Sequence, residues 1–383
     1  MSITTLAEEY ATDFYKETDE TLKEFIKRGE FPFNYEEQLL YQHKDFLKDI
    51  LTEKTVPPLH FEFLPTEKCN NNCKWCHGGH RDFMANENEL EENVMLKLIE
   101  ELADYEIKGI VRFSGMSGEP LMNSGTLKTI QKGAKLGLNI GLITNGILLT
   151  KESHDYLKET KYASISLDAG NSNTFNYLKG HNDNTFEKIV NNISNLVSFK
   201  QENNEDFRIS VGYILHPRNL YEIIQATKRI KNTGADILQF KVPYATGEDS
   251  FTQKQIREIL CSIQEAKKYS DKEFQVIAMQ TKDEREKELS GELPKPTFSR
   301  CYAQALNGII GADGNVYPCV HYYYNKDSIA GQPIGNMHEQ TFKEIWEGEK
   351  RADIIQRINP QKDCQFCNRY DNRINNLINF LMR

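Results

Sequence analysis

The chain has 383 residues, a net charge of −9 and eight cysteines, enough length for two or three domains with full cores. The acids are concentrated at the start, where residues 1–54 hold 13 Asp plus Glu against 7 Lys plus Arg; this opposes a basic nucleic-acid arm, and no nucleic-acid partner is expected. No apolar stretch reaches membrane-spanning length and the first residues lack a charged-then-apolar signal pattern, so the sequence reads as cytoplasmic with no membrane partner.

Residues 1–56 read as a helical extension. Leu6, Tyr10 and Phe14, then Leu22, Phe25 and Ile26, fall at helical spacing. A second run has Asn34 and Glu37 at N-cap and N3 spacing and an apolar face of Leu39, Leu40, Phe46, Leu47, Ile50 and Leu51 before Pro57 and Pro58. From 57 to 281 short β-like runs alternate with helical ones. The strands are expected at His60–Leu64, Gly109–Ser114, Ile140–Thr144, Ala163–Leu167, Ile209–Leu215 and Ile237–Val242, with helices such as Glu91–Tyr105, Leu127–Leu136, Thr185–Phe199 and Leu220–Thr233 between them. Six βα units imply an α/β fold with a parallel sheet, either open and doubly wound or closed into a partial barrel. In a barrel, chemistry gathers at the C-terminal strand ends. Residues 282–300, charged and carrying Pro294 and Pro296, mark a linker to a unit at 301–383. There Asp313-Gly314 between apolar stretches signals a hairpin, a helical run covers Thr341–Ile358, and Ile374, Leu377, Ile378 and Leu381 line a closing amphipathic helix.

The chemistry-bearing residues follow this order. Cys69, Cys73 and Cys76 leave the end of the first strand with spacing that aims three thiols at one centre. Grouped cysteines in a reducing compartment argue for metal rather than disulfides. A structural zinc with His77 or His80 as fourth ligand is one solution; an iron-sulfur cluster with one open iron is the other. Ser117-Gly118-Glu119 follows the second strand, Thr144-Asn145-Gly146 ends the third, and Ser166-Leu167-Asp168 ends the fourth. Small residues there let backbone approach a ligand, and Glu119 can accept hydrogen bonds from an ammonium. Cys301, Cys319, Cys364 and Cys367 make a second set, complete for either zinc or a 4Fe-4S cluster.

Taken together, residues 60 to about 243 resemble the radical S-adenosylmethionine (radical SAM) enzymes. The resemblance implies a partial (β/α)6 TIM-like barrel in which Cys69, Cys73 and Cys76 hold a 4Fe-4S cluster. The amine and carboxylate of S-adenosylmethionine would chelate its open iron, and cleavage would give a 5′-deoxyadenosyl radical. It places Trp75 beside the adenine, Ser117, Gly118 and Glu119 at the methionine amine, and Thr144, Asn145, Ser166 and Asp168 at ribose and carboxylate contacts. Ser117 stands where the family has Gly. Residues 301 to about 370 resemble the shortened, twitch form of the SPASM domain. With no further cysteine after Cys367, one auxiliary 4Fe-4S cluster is expected on Cys301, Cys319, Cys364 and Cys367. An external electron donor such as flavodoxin or ferredoxin would then be a partner.

Other candidates rest on position. Gln239 and Lys241 alternate with Leu238, Phe240 and Val242 on the sixth strand; Lys241 could hold the nucleotide carboxylate, act as a base or pair with Glu62 or Asp168. Arg112 and Glu62 read as an internal pair. Cys261 falls opposite the apolar stripe of its helix, against a hydrogen-atom-donor role. The function expected is an oxidoreductase that abstracts a hydrogen atom from a small polar, sugar- or aminocyclitol-like substrate, with Lys241 and Asp168 as catalytic candidates and the auxiliary cluster taking the second electron. The alternative is a maturase forming a crosslink or epimer on a ribosomal peptide.

Overall fold

Each of the six apolar runs forms a strand, because a parallel sheet covered by helices buries both faces and selects continuous apolar segments. The computed structural model describes residues 44–76, 88–116, 118–243, 250–278, 282–293, 295–322, 325–367 and 369–381. The first 43 residues, with Asn34 and Glu37, lie outside the described residues, as do Ser117, His77 and His80. In chain order the elements are α1 (Lys44–Leu51), β1 (His60–Phe63), α2 (Glu92–Asp104), β2 (Ile110–Phe113), α3 (Thr126–Lys135), β3 (Asn139–Thr144), α4 (Lys151–His154), β4 (Tyr162–Ser166), α5 (Ser172–Lys179), α6 (Thr185–Glu202), β5 (Arg208–Ile214), α7 (Ile223–Lys231), β6 (Ile237–Lys241), α8 (Gln253–Lys267), β7 (Gln275–Ala278) and α9 (Lys282–Leu289). Then come β8 (Asn307–Ile310), β9 (Asn315–Tyr317), β10 (Gly335–Asn336), α10 (Phe342–Trp346), α11 (Glu349–Arg357), α12 (Pro360–Asp363) and α13 (Arg369–Leu381). Among the described residues no helix is long and apolar enough to cross a membrane.

The described residues fold as two compact units, one within 63–96 and 112–292, the other within 44–62, 97–111 and 293–383. In the first, β3 to β7 follow one another in sequence order and pair in parallel. The seventh strand, β7, continues the sheet beyond the six expected; Gln-Val-Ile-Ala is too short and follows too polar a turn to stand out as a strand. Helix α6 buries Ile189, Ile193 and Leu196. A Cβ on Gly146 would meet both Ile165 of β4 and Ile189 of α6, so Ile165 points to the helix side and its neighbours Ser164 and Ser166 point the other way. On that opposite face Ser164 and Ser210 hydroxyls lie 3.2 Å apart, and Ser166, Gly212, Gln239 and Ile277 share one register row. Small and polar side chains therefore recur on the face turned from the helices.

The second unit is built on a cluster of Leu47, Ile50, Val56, Leu59, Leu306, Ile374 and Ile378, which joins α1 to the closing helix α13. The expected hairpin forms, pairing Ile309 with Tyr317 and Ile310 with Val316. Gly314 takes φ +77° at its turn, a conformation that favours glycine. The helical run expected over Thr341–Ile358 divides at Glu347-Gly348 into α10 and α11. A Thr341–Glu344 capping box starts α10, and Trp346, fully buried, donates Nε1–H to the Val56 carbonyl at 2.8 Å.

Candidate active site

The loop Cys69–Cys76 leaves β1 and is held by each asparagine between its first two cysteines. Asn70 Oδ1 accepts from Asn145 Nδ2 at 2.5 Å, Asn71 Oδ1 meets His181 Nε2 at 2.6 Å, and the Asn72 N–H donates to the Lys179 carbonyl at 2.8 Å. Lys74 N–H bonds the Leu178 carbonyl, so the loop is fastened along the end of α5. That helix starts at the Asn171 cap and stops at Gly180, φ +75°. These tethers hold the stretch from Asn70 to Lys74, which carries Cys73 and is flanked by Cys69 and Cys76.

The thiols lie near enough to act on one another. Burial, and then the neighbouring thiols and Glu119, push Cys69 up to about 12, against a backbone N–H from Asn71. Burial likewise raises Cys73, opposed chiefly by the Lys179 ammonium, which also hydrogen-bonds it. Cys76 Sγ sits 3.7 Å from the Met116 carbonyl. Three thiols, with the Asn71 N–H at Cys69 and the Lys179 ammonium at Cys73, are the donor set of an iron-sulfur cluster, and a thiol must give up its proton to bind metal.

The Gly118-Glu119 segment is built from backbone contacts. Glu119 N–H donates to the Lys68 carbonyl at 2.8 Å, and a Cβ on Gly118 would fall 1.8 Å from the Thr66 carbonyl oxygen; only glycine fits. The Glu119 carboxylate is buried and accepts from Thr144 Oγ1 at 2.6 Å, Asn145 N at 2.7 Å and Leu121 N at 3.1 Å. It therefore ties the Gly118-Glu119 segment to the end of β3. Its burial pushes it up to about 7, against these three hydrogen bonds. Asn145 closes the link, since its side chain also reaches Asn70.

Asp168 and Lys179 form a buried pair, exposed 1% and 4%. Asp168 has φ +59°, and its second carboxylate oxygen accepts from Ile214 N at 2.6 Å. The Lys179 ammonium is pushed up: burial opposes it, but Asp168 and the Cys73 thiol outweigh that. It also lies 5.2 Å over the Trp75 ring, whose other neighbour is the His216 ring at 5.2 Å. Lys179 was missed by sequence reasoning, because a lysine in the last turn of a helix just before glycine reads as a solvent-facing end. Lys241 lies along the polar face: a Cβ on Gly212 would sit 3.5 Å from its Nζ. Cys261 is exposed on α8.

In the other unit, Cys301, Cys319, Cys364 and Cys367 line a single pocket with His321 and Asp371. Burial pushes Cys301 up to about 11 and Cys364 up to about 12, and raises Cys319 and Cys367 as well, with Asp371 adding to Cys301, Cys319 and Cys367. N–H donors face the sulfurs: His321 N lies 3.4 Å from Cys319 Sγ and Asn375 Nδ2 3.4 Å from Cys301 Sγ. Among the described residues no three His, Cys, Asp or Glu groups are gathered to hold a single ion. Four thiols around one pocket, each able to take a different iron, fit a cluster.

A profile of the radical SAM superfamily matches residues 63–238, and one of the SPASM iron-sulfur cluster-binding domain matches residues 301–368. The chain carries a radical SAM domain and a C-terminal SPASM domain. It is an enzyme with a partial TIM-like fold, binding a 4Fe-4S cluster, S-adenosylmethionine and an auxiliary iron-sulfur cluster in its SPASM-type domain. It is 27% identical over 331 residues to the AdoMet-dependent heme synthase of Methanosarcina barkeri, covering 79% of this chain and 86% of that one. It is 22% identical to the antilisterial bacteriocin subtilosin biosynthesis protein AlbA of Bacillus subtilis, covering 76% of this chain and 62% of that one. Streptococcus suis SuiB bound to S-adenosylmethionine superposes with a TM-score of 0.61 at 15% identity, covering 94% of this chain and 85% of that one. At that identity the likeness is one of fold.

Proposed function

We propose that this radical SAM enzyme oxidises a small polar, hydroxyl-bearing substrate. The observation that carries the reading is Lys241, laid along the polar face over Gly212 in the row next to Ser166 and Gln239. When bound, S-adenosylmethionine and its cluster would supply hydrogen-atom abstraction at a substrate carbon, and the auxiliary cluster would supply a one-electron acceptor. Within the chain, Cys69, Cys73 and Cys76 hold the first cluster and Cys301, Cys319, Cys364 and Cys367 the auxiliary one. Lys241 receives the hydroxyl proton, so that C–H and O–H bonds are exchanged for a carbonyl. Asp168 keeps Lys179 and the Ile214 N–H in place, which makes it a positioning group. Gly118, Glu119, Thr144, Asn145, Ser166 and Trp75 line the nucleotide's place, with Ser117 beside Gly118 in the sequence, and an acidic one-electron donor such as flavodoxin or ferredoxin supplies the first electron.

A second reading is a peptide maturase. It is favoured by the similarity to AlbA and by SuiB bound to precursor peptide SuiA, which superposes with a TM-score of 0.60 at 14% identity over 91% of this chain and 80% of that one. Anaerobic incubation with deuterated sugar alcohols, aminocyclitols and peptides, following label into 5′-deoxyadenosine, separates the two. Label from a small alcohol with formation of the carbonyl product supports the oxidation. Label arriving only from a peptide would replace it with the second reading.

A further inference from the structure

We propose that Asn375, in the last helix, is a positioning residue that raises the reduction potential of the auxiliary cluster through an N–H···S bond to Cys301. The proposal rests on the assignment of Cys301, Cys319, Cys364 and Cys367 to that cluster. Asn375 is 0% exposed and sits between Ile374 and the apolar turn of Ile378, where burying an amide is costly unless each end is paired. Its Oδ1 accepts two backbone N–H groups, from Tyr302 at 2.5 Å and Ala303 at 3.0 Å. Those two donors settle which end is oxygen. The NH2 end must then face Cys301 Sγ, 3.4 Å away.

The electrostatics give the sign. Adding one electron to a cluster places more negative charge on its thiolates, and a hydrogen-bond donor aimed at a sulfur favours the more negative form. The potential therefore rises. Asp371, one turn earlier on the same face of α13 and lining the same pocket, acts in the opposite sense; its Oδ1 is held by Asn307 Nδ2 at 2.8 Å. One helix thus brings both a donor and a carboxylate to the site. A leucine at 375 would leave the buried Tyr302 and Ala303 N–H groups without their acceptor, so the oxygen end of the amide serves that turn and the NH2 end is turned to the sulfur.

The test uses the full chain with Cys69, Cys73 and Cys76 replaced by Ala, which leaves the auxiliary site as the only cluster. Asn375→Ala removes the donor without adding charge. Electron paramagnetic resonance during a reductive titration with dithionite and mediators reads the one-electron couple, and iron analysis reads occupancy. The expected result is about four irons retained and a potential lowered by about tenfold in the reduction equilibrium, ~59 mV for one electron, with partial recovery in Asn375→Gln. An unchanged potential at full iron content overturns the proposal. If Asn375→Ala loses iron, Asn375→Ser decides, since its hydroxyl can still accept the Tyr302 N–H but falls short of the sulfur. A lowered potential in that variant supports the proposal, and loss of iron from both makes the residue structural and overturns it. A Cys364→Ala/Cys367→Ala protein that keeps the same signal would instead overturn the ligand assignment beneath the proposal, so the two failures are told apart.

Discussion

The two cysteine sites solve the same problem of holding iron in opposite ways. At Cys69–Cys76 three thiols come from one short loop, and everything that aims them comes from elsewhere: Asn145 and His181 through Asn70 and Asn71, the end of α5 through Asn72 and Lys74, and the Lys179 ammonium beside Cys73. At the auxiliary site the four thiols come from separate stretches between 301 and 367, gathered by a hairpin, the turn after α12 and the closing helix, with a carboxylate rather than an ammonium close by. On the proposed assignment, a local loop with three ligands would leave one iron open for chemistry. A closed set of four leaves none, and suits storing or passing an electron.

The comparison breaks most completely at the loop. Replacing Cys69, Cys73 and Cys76 together by Ala should abolish reductive cleavage of S-adenosylmethionine and leave about four of about eight irons, read by 5′-deoxyadenosine formation and iron analysis. Next in size is the ammonium that only the first site has. Lys179→Met leaves Asp168 buried without its partner and should destabilise the protein by roughly 3–5 kcal/mol in urea melts, whereas pairing it with Asp168→Asn should recover much of that loss. An additive double variant would deny the pair its coupling.

A smaller effect is expected at Gly118, where a methyl group must push the Thr66 carbonyl away. Gly118→Ala should cost about 1–3 kcal/mol and weaken nucleotide binding, measured by calorimetry, with the auxiliary cluster untouched. The last is a pH slope. Glu119 ionises at about 7 when folded, against an ordinary 4.5, so between these values the folded state holds the extra proton. Stability should therefore fall as pH rises from about 4.5 to about 7 and level off above. Glu119→Gln does not titrate, and the difference between the wild-type and variant curves should show this fall; parallel curves would mean the carboxyl is not shifted.

Much of the fold was legible because buried parallel strands are apolar along their whole length. Ile140–Thr144 and Ile209–Leu215 stand out for that reason, and the Asp313-Gly314 turn signals its hairpin through Gly314's positive φ. Strand β7 was not legible, being four residues whose pairing with β6 is a tertiary fact. The break at Gly348 was hidden by helical spacing on both sides. At the site, cysteine spacing is a chemical signature and survives without a structure. The roles of the groups around it are not. Glu119 read as a receiver for an ammonium, and the fold adds three partners that no spacing signals, Thr144, Asn145 and Leu121. Lys179 and Asn375 went unnoticed in the sequence, and acquire meaning only when packing brings each to a cysteine.

The central claim is that the auxiliary site takes the electron that makes the reaction an oxidation. The direct measurement is turnover by Cys364→Ala/Cys367→Ala, reconstituted anaerobically, shown to be folded by circular dichroism and to hold about four irons, with 5′-deoxyadenosine and oxidised product counted together. The account predicts that S-adenosylmethionine is still cleaved while oxidised product nearly disappears. Oxidised product formed in proportion to 5′-deoxyadenosine, as in the wild type, would contradict it.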